Sequence, residues 1–493
     1  MAALAQKNIV CKVESERVIR YRDPEKGGKY AIFFTDWKRR IPSSSGAPPD
    51  LEMHMAHIHF KPWPYADKHF AGPPKTYALG GARAWWVWAL SVLFVLYLFS
   101  VQTGYSVVNP SIQGDLQLSI QQISAVAAIY TWVFAVCQFF GGALLDRLGA
   151  HKVLPISVVL VTAGVFLFAN AHSYATLILS QFVMAVGACT GFVGAGYIGG
   201  QWFGMAKFSF MFGLVQFCAA LSSAFSVNAL QFALGQVAWR SLFNYVGIAG
   251  IVLAVLAFVY LRNPRPVEST HEGVGAFFKS VMSALSAVAK NGHVWIQALI
   301  CAAEFGALLA LGVVWAPKLM AIRGAAPDTA ALSASLLWLG LAAGCLFIPA
   351  WSDRIRKRKL PILAGSIVQL ACALILVYVP GLPIGVDMAI CFLFGVANAV
   401  HMLTFSSAAD VVPPQLIGTS AAFVNGIGFI FGGILIARPG ARIATGLEAG
   451  IERVSMDMVQ YAARPIVLAL VLALILSFVM RESYPAQQNR DSS

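Results

Sequence analysis

Twelve separate stretches of this chain are each about 20 residues or more long and almost wholly apolar, and nothing else limits the possible folds so severely. About 20 apolar residues in a helix cross the hydrocarbon core of a bilayer. The stretches fall at 84–108, 120–145, 153–171, 174–199, 207–232, 238–261, 292–319, 329–351, 360–379, 384–406, 415–437 and 461–480. They are much longer than the roughly 9 to 11 residues of a barrel strand and do not alternate, so they read as helices with internally satisfied backbones. A soluble fold has no room for them. Of 493 residues 58% are hydrophobic and 12% charged, where soluble domains carry roughly 25% charge. The expected fold class is an all-α membrane protein of twelve transmembrane helices.

The basic residues orient it. With the N-terminus inside, 28 of the 35 lysines and arginines fall on one face, and such residues stay cytoplasmic near helix ends. Both termini are therefore expected in the cytoplasm, with the protein in the inner membrane. The net charge of +13 follows from topology and from attraction to anionic lipid headgroups, so no nucleic-acid partner is implied. Seven of the eight cysteines lie in apolar runs and no CxxC occurs, which gives neither a disulfide framework nor a zinc site.

The chain reads as five parts: an N-terminal extension at 1–83, six helices at 84–261, a linker at 262–291, six more helices at 292–480, and a tail at 481–493. The linker is the longest connection between helix ends on the cytoplasmic side. After the second helix of the first half stands the polar turn "GGALLDRLGAHK", and after the second helix of the second half stands "PAWSDRIRKRK". Asp146-Arg147 and Asp353-Arg354 thus occupy the same place in a duplicated plan, a recurring design among membrane carriers.

These residues resemble the major facilitator superfamily, whose signature after helix 2 runs roughly G-x-L-x-D-R-x-G-R-[KR]. Gly142, Leu144, Asp146, Arg147 and Gly149 match, while Ala150 and His151 stand where the basic pair is usual. The second copy keeps Asp353 and Arg354 but has Pro349 and Arg356 in place of the glycines. The resemblance covers roughly 84–480. It implies two six-helix bundles that move a small solute by alternating access, and a monomer. Gly149 permits a sharp reversal. Asp146 is expected to face the start of helix 11, near "PPQLIGTS", where Pro413 and Pro414 suit a first turn. A carboxylate there gains about 0.3 to 1 kcal/mol, up to about 2 when partly buried. The resemblance implies that this contact favours the outward-open form.

In such a fold helices 1, 4, 7 and 10 line the path, helped by 2, 5, 8 and 11. The polar residues there are Gln102, Tyr105, Gln138, Gln181, Gln216, Glu304, Asn398, His401 and Asn425. Glu304 is the one acid near the middle of a span. A charge at the bilayer centre costs at least about 2.5 kcal/mol, so such a group marks function or is held protonated. We expect it to carry a proton, with His401 as partner if helices 7 and 10 face each other. No lysine or arginine sits centrally in a span, so a highly charged anion is disfavoured. The expected cargo is a small neutral or monovalent solute driven by the proton gradient, with no cofactor.

The extension holds "ERVIRYRDPEKGGKYAIFF", which reads as a hairpin of two short strands. Beyond it stand Met53, His54, Met55, His57 and His59, whose imidazole and thioether ligands together suit copper and whose imidazoles alone suit nickel or zinc. The spacing fits no firm metal motif, and an arm lying on headgroups or docking a protein partner is the other reading. Two rival functions follow: a non-transporting sensor or assembly factor, and a transition-metal importer. An enzyme is disfavoured, since no nucleotide loop, nucleophile elbow or HExxH is present.

Overall fold

The computed structural model describes residues 11–15, 18–22, 29–33, 61–62, 77–265, 274–448 and 456–484. The chain divides into two compact units, Met1–Lys75 and Thr76–Ser493. In the first, the described residues form an antiparallel sheet of β1 (Cys11–Ser15), β2 (Val18–Arg22), β3 (Lys29–Phe33) and β4 (Lys61–Pro62), in that order. The hairpin read from the sequence is the β2–β3 pair, with Val18 opposite Phe33 and Arg22 opposite Lys29.

The second unit starts ahead of the first span because Tyr77 is tied to helix ends. Its N–H donates to the Pro264 carbonyl at 3.0 Å. Its ring stacks on Trp202 at 5.8 Å, and the Arg83 guanidinium lies 3.8 Å from the ring centre.

Among the described residues, twelve helical spans are long and apolar enough to cross a membrane. The first three are α1 (Gly81–Leu116), α2 (Ile120–Leu148) and α3 (Ala150–Ala169). The fourth is broken into α4 (Tyr174–Ala188) and α5 (Gly191–Phe203). Then come α6 (Phe208–Leu234) and α7 (Trp239–Tyr260), and the connecting helix α8 (Val274–Ala289). The seventh span is α9 (Gly292–Ala310), a wider π-helical turn at Leu311–Trp315, and α10 (Ala316–Ile322). Next are α11 (Pro327–Ile355) and α12 (Lys359–Tyr378). The tenth span is again broken, into α13 (Ile384–Asn398) and α14 (His401–Ala409). The last two are α15 (Ile417–Glu448) and α16 (Met456–Val479).

Local chemistry sets the ends. Ser119 and Gln122 form a capping box before α2, each side chain bonding the other's backbone N–H. Gly149, at φ 78°, ends α2 and starts α3 with no helical residue between them. Arg356, at φ 53°, holds the equivalent left-handed position after α11, where a side chain carries strain that glycine avoids.

Large apolar side chains such as Phe225, Phe232, Phe347 and Leu468 stand exposed on the outside. Water would penalise such a surface; lipid buries it. Inside, α3 packs on α4 and α7, α1 on α6, α9 on α15 and α16, and α11 on α13. The two most extensive contacts between the halves are α2 against α15, and α6 against α11. Both rest on glycine. A Cβ at Gly142 would come within 2.3 Å of the Gly418 carbonyl oxygen, and one at Gly213 within 2.8 Å of Pro349 Cγ. Pro349 is the residue that replaces Gly142 in the second signature copy.

Candidate functional site

Midway along the spans lies a chamber to which both halves contribute. Its walls include Leu98, Phe99 and Gln102 of α1, Tyr130 and Phe134 of α2, Gln216 of α6, Cys301 and Phe305 of α9, His401 and Phe405 of α14, and Asn425 and Phe429 of α15. Half of the lining residues are phenylalanine or tyrosine. Its polar groups include three amides and an imidazole, and no lysine, arginine, aspartate or glutamate is among its lining residues. Gln216 Nε2 and Asn425 Nδ2 are buried without a hydrogen-bond partner. An unpaired buried amide N–H is costly, so such groups suit a ligand that accepts from them. A side chamber of about 180 Å³ shares Gln102 and Tyr130 and adds Tyr105, Phe168, Gln181 and Phe243. The Tyr105 hydroxyl donates to the Ile123 carbonyl at 3.0 Å.

Three of the expected cavity residues lie elsewhere. Gln138 is fully buried on α2, outside both chambers, with neither amide atom paired. Glu304 is fully buried but turns towards α12 and α16, because Cys301 and Phe305 occupy the face of α9 that meets the chamber. Its Oε1 accepts from Ser366 Oγ at 2.5 Å, and Ser366 Oγ lies 3.0 Å from Ser477 Oγ. Asn398 donates to the Glu304 backbone carbonyl at 2.7 Å, and Gln369 does so at 3.0 Å. His401 makes no bond to the Glu304 carboxylate: its Nδ1–H donates to the Asn398 carbonyl at 2.7 Å and its ring stacks on Phe305 at 4.8 Å. Asn398 thus bridges the two by backbone and side chain.

On the Asp146 side of the chamber, aromatic rings from both halves pack together in a plug. Phe212 of α6 meets Phe405 of α14 at 4.8 Å edge-on, and Phe192 of α5 at 5.2 Å. Gly196 makes this possible, since a Cβ there would lie 1.7 Å from the Phe212 ring.

At that same end the Asp146 carboxylate accepts three hydrogen bonds from the start of α15. Gly418 N–H lies at 2.9 Å, Thr419 N–H at 2.7 Å and Thr419 Oγ1 at 2.8 Å. Two backbone donors of a helix N-terminus, which have no partner inside the helix, are thereby satisfied from the other half of the protein. Arg147 reaches the connecting helix instead, donating to Ser280 Oγ and to the Ser280 carbonyl, both at 3.1 Å.

The second copy is wired differently. Asp353 accepts from Arg358 Nη1 at 2.6 Å, while Arg354 is exposed. Ser209, at the start of α6, neighbours the Asp353 carboxylate. Arg358 also pairs with Asp410 at 3.2 Å, its backbone N–H donates to Glu482 at 2.7 Å, and its guanidinium lies 4.7 Å from the Tyr484 ring centre. Burial pushes the Asp410 carboxyl up to about 6, against the pull of Arg358. Met53, His54, Met55, His57 and His59 lie outside the described residues.

Residues 86–437 match the sequence profile of the Major Facilitator Superfamily. The chain belongs to that superfamily. Its sequence is 24% identical to the probable galactarate/D-glucarate transporter GudP of Bacillus subtilis (strain 168), over 38% of this chain and 44% of that protein. It is 22% identical to the hexuronate transporter of the same organism, over 57% of this chain and 69% of the relative. Several of the relatives it matches are spanned over less than half their length. Its fold is similar to the E. coli fucose:proton symporter FucP, with a TM-score of 0.60 at 15% identity, covering 80% of this chain and 99% of that one.

Within this superfamily member, reading the sequence missed three charged partners. Arg358 lay in a basic run that topology alone explained, Asp410 closes the apolar tenth span, and Glu482 sits in the tail. The sequence marks each residue but not the fact that they meet. It also missed Arg323, which pairs with buried Asp387 at 2.7 Å and donates to the carbonyls of Leu376 and Val379 at the end of α12.

Proposed function

We propose that this protein is a secondary active transporter of the inner membrane, a monomer with both termini cytoplasmic, that carries a small neutral or monovalent solute by alternating access. The observation that carries this reading is the central chamber: aromatic walls from both halves, with Gln102, Gln216, Asn425 and His401 converging on it and no fixed charge in its lining. Such a site holds a solute by stacking and by neutral hydrogen bonds. The relatives are named for sugar acids. Here no arginine or lysine faces the chamber to hold a carboxylate pair, so we assign a sugar-like solute with at most one charge.

Gly142, Asp146, Arg147, Gly149, Asp353 and Arg354 mark the turns at the end that opens and closes, with Asp146 holding the start of α15 in the closed form. The proton gradient drives the cycle through Glu304, the buried acid of α9. Its backbone carbonyl is tied to Asn398, and Asn398 to His401 in the chamber wall. A proton bound at Glu304 therefore acts on the solute through the break in the tenth span rather than by direct contact.

The test is a thermal-shift panel on purified protein with neutral hexoses, their phenyl glycosides, glucuronate and the dianion galactarate. Neutral or singly charged members should stabilise wild type, and Gln216→Ala with Asn425→Ala should lose the effect. Stabilisation by galactarate alone would refute the assignment. With the solute so found, Glu304→Gln should abolish proton-driven accumulation in liposomes and leave solute exchange intact.

A further inference from the structure

We infer that, on the Asp146 side, Glu304 exchanges its proton with the solution along the face of α9, through His293 and Gln297, while the opposite side is reached through the central chamber. The inference rests on the reading of Glu304 as the proton-carrying group and adds the route. His293, Gln297 and Glu304 repeat at intervals of four and seven, so they share one side of the helix. That side faces α12, α14 and α16, away from the chamber.

A string of polar contacts leads inward from the tail. Ser483 Oγ lies 2.8 Å from Ser407 Oγ, Ser407 Oγ lies 2.9 Å from His293 Nε2, and Gln297 Nε2 lies 3.2 Å from the same nitrogen. Half-buried His293 is where the string meets solution, and the charged groups beside it are Arg481 and Glu482 of the tail. Gln297 is fully buried and its Oε1 has no partner.

There the string stops. Ile300 of α9, Ile362 of α12, Leu403 of α14 and Met480 beyond α16 form a separate, fully buried apolar cluster. Gln297 Nε2 touches this layer at Met480 Sδ, 3.8 Å away. Beyond it lies Glu304, with Oε2 unpaired and Ser366 and Ser477 beside it. The groups around Glu304 are uncharged: Ser366 and Gln369 of α12, Asn398 of α13, Ser477 of α16, and the thiol of Cys301 on its own helix. From α15, Gly428 and Gly432 face Cys301 and Gly306.

Two unpaired buried acceptors thus stand on either side of a layer four side chains wide. An apolar layer bars protons as long as it is packed, because a charge in it has no partner. The layer is a gate for protons, separate from the aromatic plug. When it parts, a proton bound at His293 passes to the Glu304 carboxylate, which becomes a neutral acid, and the imidazole returns to its neutral form.

The experiment needs no solute. Full-length protein is placed in liposomes with an entrapped pH-sensitive dye, and a pH step is imposed. Ile300→Ser and, separately, Met480→Ser should raise proton entry several-fold over wild type, provided each elutes as a single species. Adding Glu304→Gln should return entry to the wild-type level, and adding His293→Gln should slow it across the range in which histidine titrates. Entry that persists with Glu304→Gln overturns both the route and the role of Glu304. Absence of extra entry in both folded variants overturns the route alone, because the role of Glu304 is then judged by its own uptake experiment.

Discussion

Asp146 shows how one carboxylate can couple two halves of a protein. It sits in the last turn of α2, yet three donors from the start of α15 converge on it. A charge so placed is worth up to about 2 kcal/mol, which is up to about 30-fold in a two-state ratio. Asp146→Asn removes the charge and turns one acceptor into a donor that faces other donors. Hydrogen exchange at the Gly418 and Thr419 amides should then accelerate by about tenfold or more, and unchanged protection would show that the contact holds nothing. Asp410 behaves in the opposite sense to an ordinary ion pair. Its folded value of about 6 stands above the usual carboxylate range near 4. The folded state therefore binds this proton more tightly than the unfolded chain does. The stability it contributes is complete below about 4 and is lost as pH rises through about 6, by at most about 3 kcal/mol. Wild type should melt lower at neutral pH than at pH about 5, and Asp410→Asn should flatten that dependence. A profile that Asp410→Asn leaves unchanged would assign it to other groups.

Helices set what these residues can do, and here the limits of the sequence are plain. Length and hydropathy mark all twelve spans, because crossing a bilayer leaves a signature in every residue of the segment. The breaks at Cys189–Thr190 and Ala399–Val400 leave none, since each is a local departure from regular α geometry inside an apolar run, at Ala399–Val400 with N–H groups bonding three residues back. Asp146 was legible because a short motif surrounds it; Arg358 was not, because its partners Asp353, Asp410 and Glu482 come from three places in the chain. Glu304 was legible as a buried acid but not its direction, which depends on which face of α9 meets α12. The aromatic plug also depends on such fine placement. Phe212 fits against Phe405 only because Gly196 leaves its space empty. Gly196→Ala puts a methyl where the ring stands, so the ring must leave its edge-on contact, at a cost of about 1 to 3 kcal/mol typical of overpacking. The variant should melt lower and admit a small thiol reagent to a cysteine placed at Phe192. Equal labelling with and without Gly196→Ala would show that the plug does not seal the path.

At the scale of the whole protein, the two most extensive contacts between the halves at the Asp146 end exchange under duplication: α2 with α15, and α11 with α6. Gly142 against Gly418 forms the first, and Gly213 against Pro349 the second. The chemistry differs, with a carboxylate cap in one and a buried guanidinium network beside the other, but the packing is alike. If each half moves as a rigid body, the two contacts cannot part separately, and loosening either shifts a single equilibrium. Gly142→Val and Gly213→Val each insert a side chain where no Cβ fits, and each should favour the state with this end open. Rigid-body motion then demands a non-local result. Gly142→Val should raise hydrogen exchange at the start of α6 as well as at the start of α15, and Gly213→Val should do the same in reverse. Paired with Asp146→Asn, Gly213→Val should add little once the open state already dominates, because a two-state ratio cannot shift far past saturation. Exchange confined to the helix start beside each substitution would mean that the contacts open one at a time, and a two-bundle rocking mechanism would have to be abandoned for local gating.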